Sequence, residues 1–127
     1  MTFEADLKTR LQGGSGIAVV VGDRITPLVR KPGGALPAIT YQVVAGLPQQ
    51  CLDGFTSALS QVRVQVDCWS GDADEAYALG ALVQAAMLAE AVTGGIRRAV
   101  LNLYQDFYED APRTHRRLLD FSVWYRS

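Results

Sequence analysis

Histidine occurs once in this chain, at His115, and cysteine only twice, at Cys51 and Cys68. Neither cysteine belongs to a CxxC pair or to a Cys/His array with zinc spacing, so a structural zinc site is not expected. No apolar run approaches the length of a membrane span, and the opening MTFEADLKTRLQGG carries acidic residues where a signal peptide needs an apolar stretch. The expectation is a soluble cytoplasmic chain with reduced thiols. Lysine is nearly missing, because all but two of the twelve basic residues are arginine, and the thirteen acidic residues leave a formal charge of −1. That balance gives no global attraction for DNA, RNA or an anionic membrane. Arginine forms planar, multi-donor contacts and suits protein interfaces, so its dominance favours assembly.

What remains is the material of one ordinary domain, residues 1–127, with 49% apolar and 20% charged residues. Phe3, Leu7 and Leu11 recur at helical spacing, and GGSG at 13–16 ends that helix. IAVVV is a short apolar run before the turn at Gly22-Asp23, and RITPLV reads as a brief strand that Pro27 confines to an edge. RKPGGALP, 30–37, reads as loop. From Ala38 the residues alternate strictly, with Ile39, Tyr41 and Val43 on one face. Val62, Val64, Val66 and Cys68 alternate with Arg63, Gln65, Asp67 and Trp69. These two strands form a hairpin whose connection, 45–60, reads as an extended arm.

GDADEAYALGALVQAAMLAEAV has the 3.6-residue period of a helix of about five turns. Asp72 and Glu75 make a capping box, and TGG closes the helix. Strands over 96–109 and 115–127 follow, joined by a turn at EDAPR. Strands grouped in hairpins predict an α+β domain: a mainly antiparallel sheet with two helices on one face, in the order α-β-β-β-α-β-β.

Candidate chemistry is sparse. The carboxylates of VQVDCWSGDADE suggest metal or catalysis, yet Asp67 and Cys68 are strand neighbours and point to opposite faces. Asp72, Asp74 and Glu75 are accounted for by the helix N-terminus, where negative side chains meet free amides. Ser15 in GGSG lacks the nucleophile-elbow pattern, and no GK[ST] follows the same glycines. No cofactor and no metal is expected. The alternative function is a small ligand-binding domain or enzyme with a pocket near Cys68 and His115. A nucleic-acid binder would instead show steeply salt-dependent affinity.

Five stretches in order resemble the phage tail completion, or tail terminator, family. They are Gly22, Asp23, Arg24, Ile25 and Pro27; then Leu36, Pro37, Ile39, Tyr41, Val44 and Gly46; then Leu52, Asp53 and Gly54; then Arg63, Gln65, Asp67 and Trp69; and finally Asp120, Ser122, Trp124 and Tyr125. The resemblance implies a non-enzymatic virion protein. It implies a hexameric homo-oligomer ring at the head-proximal end of the tail tube, ending tube polymerisation and meeting the head-tail connector. Its partners would be the tube protein and the connector or head completion protein, with DNA only passing through the lumen and no membrane contact. Long-tailed phages and gene transfer agents use such rings. The longer IAVVV and the basic VRKPGG loop depart from the family pattern.

Interface candidates follow from the loops 30–37, 46–58 and 105–113 and from the outward strand rows. They are Arg30, Lys31, Gln49, Leu52 and Asp53; Arg63, Asp67, Trp69 and Trp124; and Asp106, Tyr108, Glu109, Asp110 and Arg113. If the strands pair, Arg63 or Arg126 meets a carboxylate across them. Trp69 and Trp124 belong either to an interface or to a second buried face beneath the helices.

Overall fold

The computed structural model describes residues 3–27, 35–50, 56–90, 92–110 and 113–126, with the backbone alone for 46–50 and 56–59. The elements are α1 (Phe3–Gln12), α2 (Ile17–Val21), β1 (Ile25–Pro27), β2 (Ala38–Gln50), β3 (Thr56–Ser70), α3 (Ala73–Leu88), β4 (Ile96–Asp110) and β5 (Arg113–Arg126). The strands form one sheet in the order β1-β2-β3-β5-β4. Only β1 with β2 is parallel; the other pairs are antiparallel. This is the expected α+β domain.

Alternation builds the core. On one face of the sheet Ile39, Val64, Val66, Cys68, Phe121 and Val123 are fully buried. Leu7, Leu11, Leu79, Val83 and Met87 close over them from α1 and α3. Each large apolar side chain so buried contributes about 1.5–3 kcal/mol. The opposite face carries none of the described helices.

Three corrections follow. IAVVV is a helix, so the described helices number three. Ile17 and Val21, four residues apart, both face the core, while Gly16 and Gly22, at φ 82° and 60°, turn the chain at either end. In addition, α3 stops at Leu88, before TGG. Its buried face is Ala76, Leu79, Gly80, Val83 and Met87. Finally, 45–60 is not a separate arm after the strands but their continuation: the β2–β3 ladder runs on through Pro48↔Ser60 to Gln50↔Thr56.

The N-terminal helix is a clamp. Arg10, buried, donates to the carbonyls of Ala86 (3.0 Å), Met87 (3.2 Å) and Ala89 (2.5 Å), satisfying the free end of α3. Burial pulls its pKa below the usual arginine value. Asp6, also buried, accepts from the Gly95 amide and the Tyr125 hydroxyl, both at 3.0 Å. Gly94, at φ 55°, passes so close to the Asp6 carboxylate that a β-carbon there would collide with it. Burial and the Asp6 hydrogen bond together raise the Tyr125 pKa.

Candidate functional site

The face of the sheet without helices holds a polar layer built by cross-strand register. Arg63 lies opposite Ser122 and Asp67 opposite Leu118. Each therefore reaches the β5 residue two positions before the one opposite it: Arg63 Nη2 bonds Asp120 at 2.6 Å, and Arg116 Nη1 lies 3.9 Å from Asp67. Asn102 donates to Asp120 (3.1 Å) and Ser122 (2.8 Å), extending the chain of contacts to β4. Trp69 donates from Nε1 to Thr40 at 2.9 Å, reaching β2. Asp67, Asp120, Ser122 and Thr40 are all buried although no described helix covers them. Their own neighbours exclude the water.

Asp67 shows the cost of that burial. Gln65 donates to its Oδ2 at 3.1 Å, but Oδ1 is buried without a partner. Burial raises its pKa above 3.8, against the lowering effects of Gln65, Arg116 and Thr40. Asp67 and Cys68 do face opposite ways. Cys68 is fully buried among the core residues, and burial pushes its thiol pKa well above the usual value. The thiolate that nucleophilic chemistry needs is thereby disfavoured.

Arginine also organises the β4–β5 hairpin. The Arg116 guanidinium lies 5.0 Å from the Trp69 ring centre and 4.4 Å from that of Phe107. On the helix side, Arg117 sits 4.6 Å from the Tyr77 ring and 4.8 Å from Tyr104, and donates from Nε to Asp106 at 2.8 Å. Its aliphatic stem lies where Gly80 leaves room; a β-carbon at that position would strike it. Hydrogen bonding to Asp106 raises the Arg117 pKa. Cation–aromatic contacts of this kind contribute about 0.5–1 kcal/mol at exposed sites.

The expected site residues fall into two groups rather than one patch. Arg63, Asp67, Trp69 and Trp124 share the face without helices, where both tryptophans are half-buried. They are not beneath the helices. Asp106, Tyr108, Glu109, Asp110 and Arg113 lie on the β4–β5 hairpin and are exposed. Gln49 lies in β2, where the backbone alone is described; Arg30, Lys31, Leu52 and Asp53 lie outside the described residues, as does Cys51. Cys68 is sealed in the core, whereas His115 packs against Tyr108 on the hairpin, ring centres 4.6 Å apart. A cleft of about 530 Å³ lies elsewhere, between α1 and α3, lined by residues that include Arg10, Gly14, Leu82 and Ala86. Sequence reasoning missed Thr40, Asn102, Phe107, Arg116 and Arg117. The signal for the arginines was the doublet itself, which puts one cation on each face of β5.

Among the described residues no cluster of His, Cys, Asp or Glu could hold a metal ion, and no helix is long and apolar enough to cross a membrane. Comparison with curated proteins finds no match. Among solved structures, the chain is similar to one from the virion of a native gene transfer agent (GTA) particle, with TM-score 0.77 and 16% identity over 98% of this chain and 95% of that one. This likeness independently supports the fold. The family model described as tail completion protein gp17 matches residues 5–126, from the first turn of α1 to the last described residue of β5, and the chain belongs to that family.

Proposed function

We propose that this structural protein of the virion tail forms a ring, hexameric in number, that caps the head-proximal end of the tail tube. The ring ends tube polymerisation and joins the tail to the head connector, and DNA passes through its lumen. The observation that carries this reading is the family match over residues 5–126. Two geometric features support it. The β2–β3 and β4–β5 hairpins leave the sheet at opposite ends, because Leu59 of β3 pairs with Arg126 while Ser70 pairs with His115. One subunit can thus touch one partner with Gln50 and Thr56 and another with Asp110 and Arg113. The second feature is the mixed charge of the polar face, where Arg63 and Arg116 are each paired with a carboxylate. A surface of that kind does not grip phosphate.

The neck of the particle is the proposed location, with assembly in the host cytoplasm. Electron microscopy of particles made without this chain tests the reading. Filled heads without tails, beside free tails of irregular or excessive length, are expected. Normal joined particles would overturn it. Shortening the hairpin at 105–113, and separately the one at 46–58, is expected to spare the ring and to abolish one attachment each.

A further inference from the structure

Among the described residues, both lateral borders of the sheet are uncovered. On one side β4 is outermost, and its stretch Ala99–Gln105, AVLNLYQ, has neither charge nor proline. Val100, Leu103 and Tyr104 in that stretch are exposed. Edge strands of this composition pair with other chains unless something covers them, and natural edges are usually blunted by charge or proline. On the other side β1 pairs only with Ile39, Thr40 and Tyr41 of β2. From Gln42 onward β2 has no outer neighbour among the described residues, and its sequence, QVVAGLPQQ, is again uncharged. Val43 and Val44 are exposed there, and Pro48 alone interrupts the row of backbone donors.

These two borders match in direction and in height. Three successive antiparallel pairings separate β2 from β4, so they run in opposite senses. A neighbour placed alongside without being turned over therefore presents its β2 antiparallel to β4. Following the register straight across the sheet, Gln42 leads through Gln65 and Asp120 to Leu103, and Gly46 leads through Val62 and Val123 to Ala99. The bare part of β2 thus stands level with the bare part of β4. Both strands also break register at that level, between Val43 and Ala45 and between Leu101 and Leu103. Such bulges bend and twist a strand, which a sheet needs in order to curve into a closed ring.

We propose that a second copy of this chain is the partner of each border: β4 of one subunit, over 99–103, adds as an antiparallel strand to β2, over 42–46, of the next. This inference rests on the ring reading and supplies its interface. The contact is head-to-tail, so it propagates and closes instead of stopping at two subunits. Pairing β4 with β4 about a two-fold axis would also cover one border but would leave β2 bare.

Val100 and Ala45 are both exposed, lie on the face without helices, and stand at one level through Ser122 and Arg63. In the proposed contact they become cross-strand neighbours, within reach of a short bis-maleimide. The test places Val100→Cys and Ala45→Cys, together and singly, in a Cys51→Ser chain. Assembled tails are treated with the reagent, resolved on denaturing gels, and imaged in parallel. The double variant is expected to give a ladder of covalent multimers ending at the ring number, and the single variants none. Rings in the images with no ladder would overturn the edge pairing while leaving the ring; dimers from Val100→Cys alone would overturn it in favour of β4 with β4. Absence of any ring would overturn both readings. As a second variant, Leu103→Lys is expected to retain the circular dichroism of the folded subunit and to lose the ladder; an undiminished ladder would overturn the proposal.

Discussion

Phe121 and Ser122 are consecutive residues, yet they belong to two different kinds of interior. Phe121 is fully buried against the helices, held by shape and dispersion alone. Ser122, only 6% exposed, is held by a hydrogen bond from Asn102 on the face that no described helix covers. The apolar layer tolerates small rearrangements because its contacts have no direction. The polar layer does not, since Arg63, Asp120, Asn102 and Ser122 hold one another at fixed angles. The difference teaches that polar side chains on a sheet face can be buried without a helix over them, provided they bond one another.

The comparison breaks most visibly at Phe121. Phe121→Ala is expected to cost about 3–5 kcal/mol in urea unfolding, enough to leave much of the protein unfolded at 37 °C. Asp120→Ala leaves Arg63 and Asn102 facing a void in the polar layer, with an expected cost of about 1–3 kcal/mol by the same measurement. For Ser122→Ala the expected cost is about 0.5–1.5 kcal/mol, one hydrogen bond. If Ser122→Ala cost as much as Phe121→Ala, the two layers would not differ as described.

Arg63→Ala should cost less than about 1 kcal/mol, because the arginine side chain is 43% exposed and the ion pair is screened. Asp67 sharpens the contrast through pH. Its folded pKa lies above its unfolded one, so the folded state holds the proton more tightly. Stability from this group is therefore greatest below 3.8 and declines as pH rises from there through the raised folded value. Asp67→Asn is expected to remove that decline from the stability profile and to leave the protein no less stable at pH 7. A steeper decline in the variant would contradict the assignment.

Period-2 alternation made the apolar layer legible in advance at Val62 to Cys68, and the capping residues placed the start of α3. Asp72 accepts from the Glu75 amide at 3.2 Å as expected, although Glu75 turns to accept from Ser70 at 2.6 Å. What was illegible depended on partners distant in sequence. The end of α3 is set by Arg10, 76 residues or more away, so no local residue announces it. IAVVV has the composition of a strand, and only packing of Ile17 and Val21 makes it a helix. Among the candidate site residues, facing could be read but register could not. Which cation stacks on which ring depends on Trp69 standing opposite Arg116 and Asp106 opposite Arg117.

The position of β5 also governs how the chain can fold. It lies between β3 and β4, yet its residues follow theirs in sequence. On the ribosome, then, this inner strand is made after both of its neighbours. Until Leu119, Phe121 and Val123 emerge, β3 and β4 have no shared partner, and Asp6 still waits for Tyr125. Folding is therefore dominated by contacts between residues distant in sequence, the condition under which small domains fold slowly. A nascent chain halted before residue 113 can pair β1, β2 and β3 but leaves β4 without a neighbour in the sheet.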